Sequence, residues 1–172
     1  VCVAPGVGNT IKEWGGHRFA EVATMVAECW GATIVIVGGV GDRSHVADMK
    51  ENIPGTVSVV DLSEKLSLEE LKAVISQVHL FVSVDTGPIY IAEAFSVPTV
   101  DIVGPMDEYE QPPRGKLHAV VVPERAAPAI HIMNAAVFDR AEARRQAESI
   151  TPKQVLEVIQ KMIVSNPTAF LQ

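Results

Sequence analysis

The chain has 172 residues, a length that fits one domain or one half of a two-domain enzyme. Its 14 Lys and Arg stand against 21 Asp and Glu, a formal charge of −7 that argues against a reader of nucleic-acid backbones, which needs clustered cations. With 48% hydrophobic and 20% charged residues, the composition is that of a chain that buries a core. Two cysteines, Cys2 and Cys29, are too few for a disulfide scaffold and lack metal-ligand spacing, which points to a reducing cytoplasm. No apolar run reaches the roughly 18 residues of a membrane span, and no signal-peptide pattern opens the chain. Val1-Cys2-Val3-Ala4 is already a strand pattern without an initiator Met, and reads as the start of a piece cut from a longer protein.

Six short β-branched runs recur along the chain: Val1–Ala4, Thr33–Val37, Val57–Val60, Leu80–Val84, Thr99–Val103 and Ala119–Val122. Strands this apolar need cover on both faces, as in a parallel sheet between helices. Helical spacing fills the gaps at Phe19–Val26 and Leu68–Ile75. Ser67-Leu68-Glu69-Glu70 is a capping box, and Thr151-Pro152 opens an amphipathic helix running to about Val164. The alternation predicts an α/β fold, a Rossmann-like doubly wound parallel sheet, as one domain over residues 1–172. Pro105–Leu117 has no periodicity and reads as a loop leaving the sheet.

Ligands of such sheets bind outside the carboxyl ends of the strands. Pro5–Lys12 follows the first strand, Gly38–Asp42 the second and Asp85–Pro88 the fourth, so the chemically informative residues share one edge. Familiar nucleotide fingerprints fail there. Ile11 and Ser44 stand where a dinucleotide G-x-G-x-x-G needs its last glycine, and Glu13 follows Lys12 where a P-loop needs Ser or Thr. There is no Asp-x-Asp pair for a divalent cation, and the five histidines are scattered, so no metal is predicted. At Asp85-Thr86-Gly87-Pro88 a strand gives way to a helix. Asp85 or Thr86 caps it, Gly87 admits a ligand to the backbone, and the first-turn amides suit a phosphate. Plain helix capping explains the same residues, and Lys12 by itself is an ordinary loop lysine.

The residues Pro5-Gly6, Lys12-Glu13-Trp14, Phe19, Val37-Gly38-Gly39, Leu66–Leu71, Ser83–Pro88 with Ala92 and Ala94, Pro98-Thr99-Val100 and Gly104-Pro105 together resemble the C-terminal half of glycosyltransferase family 9, the lipopolysaccharide heptosyltransferases. The resemblance implies one half of a GT-B architecture, in which the C-terminal half binds a nucleotide sugar, typically ADP-heptose. The N-terminal half would hold the lipid-linked saccharide acceptor and the catalytic base, which leaves the catalytic residue outside this chain. It implies that Lys12 contacts the donor phosphates, that Asp42 and Leu66 lie beside the nucleoside, that Asp85 holds sugar hydroxyls, and that Thr86 and Gly87 bind diphosphate without a metal. Peripheral association with the cytoplasmic face of the inner membrane follows from such an acceptor. Tyr90 departs from the pattern by standing where members usually carry histidine; a phenol donates a hydrogen bond to phosphate but does not become cationic. Two rival readings are a nucleotide-binding or regulatory module without transfer activity, and another GT-B-like enzyme such as a nucleotide-sugar epimerase.

Overall fold

The computed structural model describes residues 1–110, 113–132 and 135–170. Six strands form one all-parallel sheet: β1 (Cys2–Ala4), β2 (Ile34–Ile36), β3 (Val59–Asp61), β4 (Phe81–Val84), β5 (Thr99–Ile102) and β6 (His118–Val121), in the order β3-β2-β1-β4-β5-β6. Each lies on a run expected from sequence. The helices are α1 (Gly16–Trp30), α2 (Arg43–Asn52), α3 (Leu68–Ile75), α4 (Gly87–Ala94), α5 (Arg140–Ser149) and α6 (Pro152–Ser165). The periodicity reading had not named α2, whose polar stretch buries only Val46 and Met49.

Alternation of side chains along each strand divides the core in two. Val3, Ile34, Ile36, Val82, Val84, Val100 and Ile102 point toward α1, α2 and α6, where Phe19, Met49 and Ile159 meet them. Cys2, Ala4 and Phe81 point the other way, toward Ile75 of α3 and Ile89 and Ala92 of α4. Ser67 and Glu70 close the predicted capping box at α3, and Thr151 with Gln154 forms a second at α6. The segment after β5 does leave the sheet, though an isolated parallel bridge, Met106 with Ile130, ties it back; Gln111 and Pro112 within it lie outside the described residues.

Trp14 is buried, packs edge-on against Phe19 with ring centroids 4.9 Å apart, and donates its indole N–H to the Ile150 carbonyl at 2.9 Å. This one side chain joins the loop after β1 to the turn between α5 and α6. Trp30 is 42% exposed because it is the last helical residue and Gly31 turns the chain away in a left-handed conformation. Trp14→Phe keeps the ring packing but leaves the buried Ile150 carbonyl without its donor. The expected cost is about 1–3 kcal/mol, read as a lower urea midpoint with an unchanged slope.

Candidate active site

The strand order reverses between β1 and β4. The chain leaves β1 toward β2 on one side, and β4 sends its connection toward β5 on the other, which opens a crevice at the carboxyl ends of these two strands. The loop after β1 contributes a short turn, Thr10–Lys12, capped by Asn9, whose Oδ1 accepts the Ile11 N–H at 3.2 Å. That turn aims Lys12 across the crevice. Its Nζ donates to Asp85 Oδ2 at 2.6 Å and to the Asp85 carbonyl at 3.3 Å. The two side chains are only 13% and 15% exposed, so Lys12 is not a free loop lysine.

Thr86 is the N-cap of α4, yet its side chain makes no capping bond, and its Oγ1 is buried without a hydrogen-bond partner among the described residues. Capping therefore does not account for this threonine. A side chain built at Gly87 would meet nothing within 4 Å, so the bare backbone at the helix start faces open space. The first-turn amides and the positive end of the helix dipole converge there.

Two cavities meet at this point. One, about 570 Å³, is lined on its apolar side by Val37, Leu62, Leu66 and Leu71 and on its polar side by Asp42, Thr86 and the glycine backbones of residues 6, 8, 38 and 39. The other, about 410 Å³, is lined by Asn9, Lys12, Asp85, Tyr90, Met106 and Phe138. Gly8, Thr86 and Gly87 belong to both. All seven residues singled out from sequence thus line one continuous crevice: Asp42 and Leu66 on one side, Lys12, Asp85 and Tyr90 on the other, Thr86 and Gly87 at the junction.

Asp42 does more than face the larger cavity. Its Oδ2 accepts the Gly39 N–H at 2.7 Å, and its carboxylate fills the space that a side chain on Gly6 would take, with a Cβ there falling 2.1 Å from the Asp42 carboxyl carbon. Glycine at position 6 is required by this close approach rather than by its own dihedral angles. Tyr90 lies in the second turn of α4, and its phenol is held above its ordinary range by burial, then by the negative charge of Asp85, Asp101 and Glu93.

One group behind the site, coupled electrostatically to Asp85 and Lys12, was not singled out from the sequence. Asp101 lies in the middle of β5, 2% exposed, in register with Ser83 of β4. Its Oδ1 and the Ser83 Oγ are both buried without partners among the described residues. Burial, reinforced by Asp85 and opposed by Lys12, pushes its carboxyl up to about 8. The signal was present as a lone acid in the apolar run Thr99-Val100-Asp101-Ile102-Val103.

The remaining loop is tied down from inside. Arg125, 5% exposed, donates to the Gly104 carbonyl at 2.8 Å, the Met106 carbonyl at 2.7 Å and Gln146 Oε1 at 3.2 Å, and pairs with Glu108. Among the described residues no three His, Cys, Asp or Glu come together in a way that could hold a metal, and no helix is long and apolar enough to cross a membrane.

Residues 1–136 match the family model for glycosyltransferase family 9 (heptosyltransferase). The chain belongs to glycosyltransferase family 9. Lipopolysaccharide heptosyltransferase 3 of Escherichia coli is 29% identical over 109 residues, which is 62% of this chain and 32% of that protein. Among solved structures, E. coli ADP-heptose lipopolysaccharide heptosyltransferase II superposes with a TM-score of 0.80 at 20% identity, over 96% of this chain and 46% of that one. E. coli heptosyltransferase WaaC with ADP gives 0.72 at 20% identity, over 94% and 43%. The chain thus spans about a third of the curated relative and less than half of these structures.

The buried carboxyl of Asp101 has a measurable consequence for this family member. Between its ordinary value of 3.8 and about 8, the unfolded chain has released the Asp101 proton while the folded chain keeps it. Folded protein binds more protons in that window, so this residue makes stability fall as pH rises from about 4 to 8. Asp101→Asn is expected to raise the thermal midpoint at pH 8 and to lose that advantage near pH 4, as read by melting curves of both proteins across the range.

Proposed function

We propose that this chain is the donor-binding half of an inverting glycosyltransferase that moves a heptose from ADP-heptose to a lipopolysaccharide core acceptor. The observation that carries the reading is the junction of the two cavities at Thr86 and Gly87, where an unpartnered hydroxyl, an open helix start and Lys12 surround a space suited to a diphosphate. The larger, more apolar cavity, with Leu66 on its wall and Asp42 at its polar rim, takes the nucleoside. The smaller takes the sugar, whose hydroxyls Asp85 orients, with Tyr90 offering a phenol donor. As the glycosidic bond breaks, negative charge develops on the departing diphosphate, and Lys12 with the α4 amides is positioned to stabilise it. No metal is required in this scheme. The base that deprotonates the acceptor hydroxyl, and the site for the lipid-linked saccharide, belong to a complementary half, which would work at the cytoplasmic face of the inner membrane.

The Lys12–Asp85 pair gives the reading a discriminating test. Lys12→Ala is expected to weaken ADP binding by about 10- to 100-fold, the value of a charged hydrogen bond of about 1.5–3 kcal/mol. Asp85→Ala frees Lys12 from its 2.6 Å partner and removes a repelling carboxylate, so ADP should bind as well or better while ADP-heptose loses its sugar contact. Isothermal titration of both ligands, with and without EDTA, checks each arm. Equal losses of ADP affinity in the two variants, or binding seen only with magnesium, would reject these roles.

A further inference from the structure

The Lys12–Asp85–Asp101 cluster holds two carboxyl groups and one cation. Lys12 is committed to Asp85 through two hydrogen bonds, one to the carboxylate and one to the carbonyl. Asp101 is left with no cation of its own, 2% exposed, on the strand next to the one that ends at Asp85. It points to the α4 face of the sheet, because its register partner Ser83 is two residues from Phe81 and shares its face, which packs on α4. Asp101 Oδ1, Ser83 Oγ on the paired strand and, three residues beyond Ser83, Thr86 Oγ1 are buried without partners among the described residues. The last of these lines both cavities.

Charge bookkeeping then constrains what the crevice can accept. With Asp101 neutral, Lys12 and Asp85 cancel, and a diphosphate meets a favourable helix dipole with Asp42 as the one remaining carboxylate among the residues named for the crevice. With Asp101 ionised, the same ligand meets one further negative charge, buried where repulsion is screened least. We propose that Asp101 couples nucleoside-diphosphate binding to uptake of a proton, acting as a positioning residue whose neutral carboxyl is the form the liganded site requires. The inference rests on the diphosphate reading of the crevice given above.

The groups facing Asp101 bear on its titration differently. Asp85, from the end of β4, raises its proton affinity, and Lys12, from the loop after β1, lowers it. Tyr90 of α4 is itself pushed upward and stays neutral across the range that matters, with Glu93 on the same helix adding negative charge beside it. On β6, His118 hydrogen-bonds Thr99 at 2.7 Å, two residues before Asp101 on the same strand, and burial lowers its proton affinity. A bound diphosphate adds negative charge to this set, so Asp101 holds its proton more firmly in the complex than in the free protein. Linkage then requires that affinity fall as pH rises past about 8.

The test is calorimetric titration of ADP into the parent chain and Asp101→Asn at pH 7, 8 and 9, in buffers of different ionisation enthalpy. The parent is expected to bind about tenfold more weakly at pH 9 than at pH 7 and to take up about half a proton per nucleotide at pH 8. The Asn variant should lose the Asp101 part of both effects and keep only what the ionisation of ADP and of the chain's amino terminus contributes equally to the two proteins. Asp101→Val serves as the second neutral variant should the amide disturb packing. Carboxyl carbon shifts in the ligand-free parent add an independent arm: Asp101 should titrate near 8, and titration near 4 would overturn the coupling whatever ADP does. Equal proton uptake and equal pH dependence in parent and variants would overturn it too, while leaving the donor-site reading intact. Failure of ADP to bind at any pH would reject that reading and the coupling together.

Discussion

The crevice exists because a parallel sheet has to change direction somewhere. The crossovers after β1 and β2 place α1 and α2 on one face, while α3 and α4 lie on the other. Between β1 and β4 the connections diverge, and neither strand end is covered by the helix that follows it. Glycine backbone lines much of the crevice as a result, and its polar side chains Lys12, Asp42, Asp85 and Thr86 come from the turns that follow the strands. The tight turn at Thr10–Lys12 and the short α4 are what that geometry leaves room for. Both would be of little use elsewhere on the molecule.

How much of this was legible in the sequence follows from which forces act locally. The β-branched runs, the Ser67–Glu70 box and the Thr151-Pro152 start are short-range signals, and each strand and helix they mark is present. α2 escaped because its burial depends on two side chains, Val46 and Met49, packed against α1, a tertiary fact with no local period. The clustering of Lys12, Asp42, Leu66, Asp85, Thr86, Gly87 and Tyr90 was legible from the strand-end rule and from the family resemblance. Their partners were not. The pairing of Lys12 with Asp85 spans 73 positions, and the nesting of Asp42 against Gly6 depends on how two loops stack. Asp101 was overlooked for a related reason: one acid in an apolar strand reads as an interruption until the register shows what lies beside it.

The polar atoms of the site show which side chains belong to the scaffold. Elsewhere among the described residues, capping hydroxyls are used: Ser67 and Thr151 each accept a backbone N–H at a helix start. Thr86, at the start of α4, does not. A buried hydroxyl without a partner among the described residues at one cap, when equivalent positions in the same chain are engaged, costs stability and calls for an explanation other than capping. This contrast within one molecule sets Thr86 apart from the caps whose side chains hold a helix.

The two walls of the smaller cavity are built on opposite principles. The wall that carries Met106 is fastened from behind by Arg125, whose guanidinium is spent on the Gly104 and Met106 carbonyls, Gln146 and Glu108. None of those bonds has to break to admit a guest. Lys12 and Asp85, which line the same cavity, are instead spent on each other, so a guest that draws on either competes with an existing ion pair. The cavity thus joins a wall whose bonds lie behind it to a pair whose bonds are made inside it. The first sets its shape, while any ligand that engages the second has to offset the loss of the Lys12–Asp85 contact.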